Sequence, residues 1–231
     1  MTLGWDELRS SFDWRMFFGI CGLKCRGEDG CAESSQLEHE ALAIISREKP
    51  EAFVTARFID CQRDGDDIVS VNGALRLPML RDTHSLADFF PEEGSAQLGL
   101  FAVRVDCPAD GDFVGHAVRV SLAEAASEYL GRKWESLLPD GMRLIRPGIG
   151  YACCPDHSLK RDVLAFLPET GITLTDSCAM IPEASICGLV IAHRDAAYHD
   201  IRHVSPEDLA AYAARRGFSE DERKLFLNHL A

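Results

Sequence analysis

The sequence predicts an α+β fold, and three observations carry that reading. Short β-rich runs cluster at 52–59, 68–71, 75–80 and 98–105, and helical patterns precede and follow them. The turn Arg63-Asp64-Gly65-Asp66-Asp67 has hairpin chemistry, which favours antiparallel pairing of the first two runs. There is no internal repeat, low-complexity tract or convincing linker, so a single domain over residues 1–231 is the simplest organisation.

Taken in order, the segment from Trp5 to Leu23 mixes aromatics and charges in Phe12-Asp13-Trp14-Arg15-Met16-Phe17-Phe18 and fits a helix leading into a buried aromatic cluster. Asp13 is its odd member, readable as an N-cap or a surface charge. A glycine- and charge-rich loop then carries Cys21, Cys25 and Cys31, whose spacing matches no standard metal or cluster motif. Residues 34–47 read as a helix with Leu37, Ala41, Ile44 and Ile45 on one side, ended by Lys49-Pro50. Among the β-rich runs, the third contains Pro78 and belongs on a sheet edge, because proline cannot donate to a ladder.

Residues 113–138 hold the longest helical pattern, with Leu122, Ala126 and Tyr129 on one face and Glu124 and Glu128 four apart on another. That acidic stripe is either solvated or turned toward a cationic ligand. A helix from Ser158 to Leu167 stops at Pro168; two further strands are expected at 185–192 and 198–204, joined by His193-Arg194-Asp195. Ser205-Pro206-Glu207-Asp208 opens a helix that Gly217 closes, and Ser219 with Glu222 forms a capping box for the last one.

Composition narrows the function. A net charge of −13 over 231 residues argues against binding a phosphate backbone, since nucleic-acid affinity rests on neutralising phosphates with Lys and Arg. No apolar run reaches the roughly 20 residues of a membrane helix, and the N-terminus lacks the basic and apolar regions of a signal peptide, so a cytoplasmic protein is expected. Nine cysteines, an odd number, argue for free thiols. The chemically densest stretch is Ile145-Arg146-Pro147-Gly148-Ile149-Gly150-Tyr151, running on to Lys160. Its prolines lower the entropy lost on ordering, its glycines let backbone approach a ligand, and Arg146 offers a planar fork for a carboxylate. The alternative is a rigid connection before a helix.

Three runs in register settle a resemblance. Arg146-Pro147-Gly148-Ile149-Gly150-Tyr151, then Cys154-Pro155-Asp156-His157 with Lys160, then Leu174-Thr175-Asp176-Ser177-Cys178-Ala179-Met180-Ile181-Pro182 continuing to Ser185, resemble the activation domain of cobalamin-dependent methionine synthase. Asp13-Trp14 with Phe17-Phe18, Leu122-Ala123-Glu124-Ala125 with Glu128-Tyr129-Leu130, and Tyr212 to Gly217 extend the likeness over most of the chain. The resemblance implies a single domain with a twisted, largely antiparallel central sheet flanked by helices. It also implies binding of S-adenosylmethionine beside cobalamin, and reactivation of the cob(II) state by an electron and a methyl group.

By position the family's ligand contacts fall on Asp13, Glu124, Arg146 and Tyr198, with His199 beside the last; Gly148, Gly150 and Tyr151 complete the expected site. Arg146 would take the ligand carboxylate, Asp13 and Glu124 its ammonium, and the tyrosines would line it. Reduced cobalamin is itself the nucleophile in this chemistry, so no catalytic side chain and no protein-bound metal is expected. The chain has no D-x-H-x-x-G signature for a cobalt ligand. Cobalamin is therefore expected on a partner, a corrinoid-binding protein or truncated methionine synthase, with flavodoxin or another electron donor. Two other readings stand beside this one: an S-adenosylmethionine-binding sensor or scaffold with no corrinoid role, and a redox or metal protein built on Cys21, Cys25 and Cys31.

Overall fold

A computed structural model describes residues 1–23, 32–107 and 112–230. In chain order it contains β1 (Thr2–Leu3), α1 (Trp5–Leu8), α2 (Trp14–Ile20), α3 (Ala32–Glu48), β2 (Ala52–Asp64), β3 (Asp67–Ser70), β4 (Arg76–Pro78) and β5 (Ala96–Val105). Then follow α4 (Phe113–Glu135), β6 (Arg143–Ile145), α5 (Leu159–Ala165), β7 (Thr173–Leu174), β8 (Met180–Ile181), β9 (Ser185–His193), α6 (Pro206–Arg216) and α7 (Glu220–Leu227).

The main sheet runs β4-β3-β2-β5-β9-β6, with β1 added beside β2, and every pairing in it is antiparallel. The predicted hairpin closes at Asp64↔Asp67, and Gly65 at its tip takes φ +60, a value that favours glycine. β4, with Pro78 at its end, forms one edge of the sheet.

Both faces of the sheet are covered, which explains why β5 and β9 are apolar at nearly every position. Leu98, Leu100, Leu189 and Ile191 point into a core shared with α5, while Phe101, Val103, Ile186 and Val190 point into a core shared with α4 and the N-terminal helices. α4 approaches closely because its sheet side is built from small residues, Ala117, Ser121, Ala125 and Ala126 among them. A third cluster joins α6 and α7 to Ile201, Val204 and Cys178.

One expected element is absent. Residues 198–204 form no strand: their backbone bonds go to unrelated places, the Ile201 amide to the Ala152 carbonyl and the Val204 amide to the Leu230 carbonyl. The edge of β9 that a new strand would take is held instead by β6, which pairs Arg143–Ile145 with Ile191–His193. The apolar residues of that segment serve as plugs into the third cluster. Asp13 resolves as the N-cap of α2, its Oδ1 accepting from the amides of Arg15 (2.8 Å) and Met16 (3.1 Å). It seats the aromatic cluster of Trp5, Phe12, Trp14, Phe17 and Phe18.

Candidate functional site

The loop after β6 stays attached to the sheet. Through its backbone, the Leu189 amide donates to Pro147 O (2.9 Å) and the Ile149 amide to Cys187 O (3.0 Å), which brings Gly148 opposite Gly188. A side chain at Gly188 would collide with Pro147 O and lie 2.9 Å from the Phe101 ring, so the close approach needs glycine there. A Cβ at Gly148 would meet the Tyr151 ring at 2.7 Å; without one, that ring packs close against the loop backbone. Gly150 takes φ +100 and packs against the His157 imidazole, 2.6 Å from where its Cβ would be.

Across from this loop stands α4, and a cleft of about 280 Å³ opens between them. Its lining contains Glu124, Arg146, Gly148, Tyr151 and Tyr198 from the predicted set, together with Phe101, Ser127, Ala152, Cys153, Ile186 and Asp200. The Arg146 guanidinium, 17% exposed, donates through Nη1 to Ser127 Oγ (2.7 Å) and through Nη2 to Glu128. Its backbone amide donates to the Tyr198 hydroxyl (2.8 Å), which pins that otherwise exposed ring beside the cleft. Tyr151, 53% exposed, donates its hydroxyl to Glu124 Oε1. Partial burial and then the Glu124 carboxylate push the Tyr151 phenol well above its ordinary range, so it stays a donor at neutral pH. Burial pushes the Cys153 thiol up to about 11, so it faces the cleft as a neutral group.

Three predicted residues lie off this lining. Asp13 caps α2, Gly150 lies beneath the loop against His157, and His199 stacks on His84 at 4.1 Å in a neighbouring depression. Ser127 was findable, since it stands three residues from Glu124 on a helix and so shares its face. Phe101 and Ile186 enter through the register of β5 against β9, which local sequence does not reveal. Asp200, paired with Arg202 at 2.8 Å, arrives because residues 198–204 cross the loop instead of extending the sheet.

Behind the loop lies a second, closed polar network. Asp156, 0% exposed, accepts from the Ser158 amide and hydroxyl (both 2.8 Å) and from the Tyr212 hydroxyl (2.7 Å). Arg216 lies 3.5 Å from Asp156 and 2.8 Å from Asp162. Lys160 Nζ reaches His157 Nδ1 (2.8 Å) and donates to Cys178 O (3.1 Å), tying the loop to residues 174–182. The second and third sequence runs thus support the first from behind.

Residues 5–217 match the family model described as vitamin B12 dependent methionine synthase, activation domain. The chain belongs to that family. This activation domain also superposes on a crystal structure of the MetH reactivation domain bound to AdoHcy, with a TM-score of 0.86 and 24% identity over 100% of this chain and 89% of that one. At that identity the likeness establishes the shared α+β fold. Among the described residues no group of three or more His, Cys, Asp or Glu side chains is placed to hold a metal ion, and no helix is long and apolar enough to cross a membrane. Cys21 is a free thiol, while Cys25 and Cys31 lie outside the described residues.

Proposed function

We propose that this activation domain binds S-adenosylmethionine in the cleft between α4 and the loop after β6. In this reading it supports reductive methylation of cob(II)alamin carried by a separate corrinoid protein, in the cytoplasm, with an electron donor such as flavodoxin. The observation that carries the reading is the placement of Arg146, with Ser127 beside it, in a cleft otherwise rimmed by the carboxylates Glu124 and Asp200. A ligand with a carboxylate, an ammonium and a sulfonium is complementary to such a set: one fixed guanidinium, two acids, tyrosine hydroxyls and an apolar floor of Phe101 and Ile186. Family membership and the AdoHcy bound by the similar reactivation domain support the same ligand class.

When bound, S-adenosylmethionine supplies an electrophilic methyl group. The work of the chain is to bind and orient. Arg146 grips the carboxylate, Glu124 and Asp200 attract the ammonium and sulfonium, and Tyr151 and Tyr198 line the opening. Asp13, Gly150 and His199 serve this reading indirectly, by seating α2, the loop and the wall of the adjoining depression.

Calorimetry with S-adenosylmethionine and S-adenosylhomocysteine tests the ligand, with binding expected for the wild type and lost in Arg146→Ala. Absence of binding to the wild type would overturn the reading. Methylation of a corrinoid protein from cob(II)alamin, with a reductant and with or without this protein, then tests the role in trans. Binding without any stimulation would leave an S-adenosylmethionine sensor.

A further inference from the structure

We propose that Glu128 and Gly131 of α4 form a clamp that sets the Arg146 guanidinium for a ligand carboxylate, making Glu128 a positioning residue of the cleft. The inference rests on the S-adenosylmethionine reading above and adds to it which groups set the affinity for one part of the ligand.

Glu124, Ser127, Glu128 and Gly131 stand at i, i+3, i+4 and i+7, so they form one stripe along the side of α4 that faces the loop. Each does something different there. Glu124 takes the Tyr151 hydroxyl, Ser127 takes Arg146 Nη1, and Glu128 takes Nη2. Gly131 contributes by absence: a Cβ there would collide with Arg146 Nε and stand 2.8 Å from both Cδ and Cζ. The arginine lies across the helix only because that position is bare. Gly131 is buried and helical, where glycine is less favourable than alanine, so its place calls for a reason of this kind.

Glu128 holds the guanidinium from outside the cleft. Arg146 and Ser127 line the cleft and Glu128 does not. Its other oxygen, Oε1, lies 3.3 Å from Arg132 Nε, and Arg132 in turn donates to the Ser10 carbonyl at 3.3 Å. The chain Arg132–Glu128–Arg146 therefore anchors the guanidinium of a cleft-lining residue to the body of the protein.

Two opposed effects follow from the Glu128 charge. It fixes a long side chain that otherwise has rotamer freedom to lose on binding, and it also competes with the ligand carboxylate for the same cation. Glu128 is 46% exposed and shares its charge with Arg132, so its competing field is screened, and the fixing effect prevails.

The test is calorimetry of the full chain with two probes that differ by one group, S-adenosylmethionine and decarboxylated S-adenosylmethionine. Glu128→Gln and, separately, Gly131→Ala are expected to weaken S-adenosylmethionine roughly tenfold while leaving the decarboxylated probe within about twofold. Loss of both probes together would mark a general structural defect and overturn the clamp. Unchanged or tightened S-adenosylmethionine binding in Glu128→Gln would overturn it as well, the latter by showing Glu128 to be a competitor. Failure of the wild type to bind either probe would instead strike the ligand reading on which the clamp rests.

Discussion

Arg146 and Arg216 lie on opposite sides of the same loop, and they are spent differently. Arg216 is 9% exposed and packed among Asp156, Asp162, Ser158 and the Phe218 ring. Arg146 is 17% exposed, its side-chain partners Ser127 and Glu128 both stand on α4, and it lines a cleft with further polar groups. Burial hardly separates the two. The difference is in what surrounds the fork: protein closes on Arg216 and leaves its Nε buried without a hydrogen-bond partner, whereas Arg146 borders a cleft that a ligand can enter, so the first reads as a strut and the second as a receptor.

The largest effect expected from this contrast is at the strut. Asp156→Ala leaves Tyr212 and Ser158 without their common acceptor, and Arg216 without one of its two counter-charges, and should cost about 3–5 kcal/mol, measured by urea denaturation. Arg146→Ala should cost only about 1 kcal/mol by the same measure, since its ion-pair partner Glu128 is half exposed, while abolishing ligand binding. Equal losses of stability in the two variants would erase the distinction between them.

A smaller effect separates the ends of the closed network. Tyr212→Phe removes one of the donors to Asp156 and keeps the ring, so about 1–2 kcal/mol should be lost in denaturation with ligand affinity unchanged. Gly150→Ala works on both sides at once. Its φ of +100 and the His157 ring beside it make any side chain strained, and about 1–3 kcal/mol is expected, with weakened ligand binding because Tyr151 follows directly in the chain. If Gly150→Ala alters stability alone, the loop transmits nothing from the strut to the cleft.

The two regions also differ in how far local sequence discloses them. The hairpin at 64–67, the edge position of Pro78, the caps of α6 and α7 and the long α4 all follow from turn chemistry, backbone donors and helical spacing, which act over a few residues. Arg146, Glu124 and Tyr151 were visible as residue types suited to a ligand, and their register with the other runs fixed the family. What local reading missed depends on long-range placement. Residues 198–204 have the composition of a strand, yet β6 already occupies the edge of β9, so they cross the loop and bring Asp200 to the cleft. Phe101 and Ile186 reach the floor through sheet register, and the pairing of Arg146 with Glu128 through the approach of α4. Asp13 has the chemistry of both a cap and a ligand contact, and the cap is what its Oδ1 forms.

The smallest effect expected is a pH dependence on the closed side. Burial, and then the positive charge of Lys160, lower the His157 imidazole below its ordinary value. A histidine so lowered binds its proton more readily in the unfolded chain, so the stability it contributes is present above the unfolded value of about 6.5 and is lost as pH falls through the folded one. Stability should therefore decline on acidification from about pH 7 toward 5, and His157→Gln should flatten that decline. Because His157 faces Lys160 and Gly150 and is not part of the cleft lining, the S-adenosylmethionine affinity of the folded protein should not follow the same titration. A binding curve that tracked the His157-dependent stability loss would mean that the strut and the receptor are one unit.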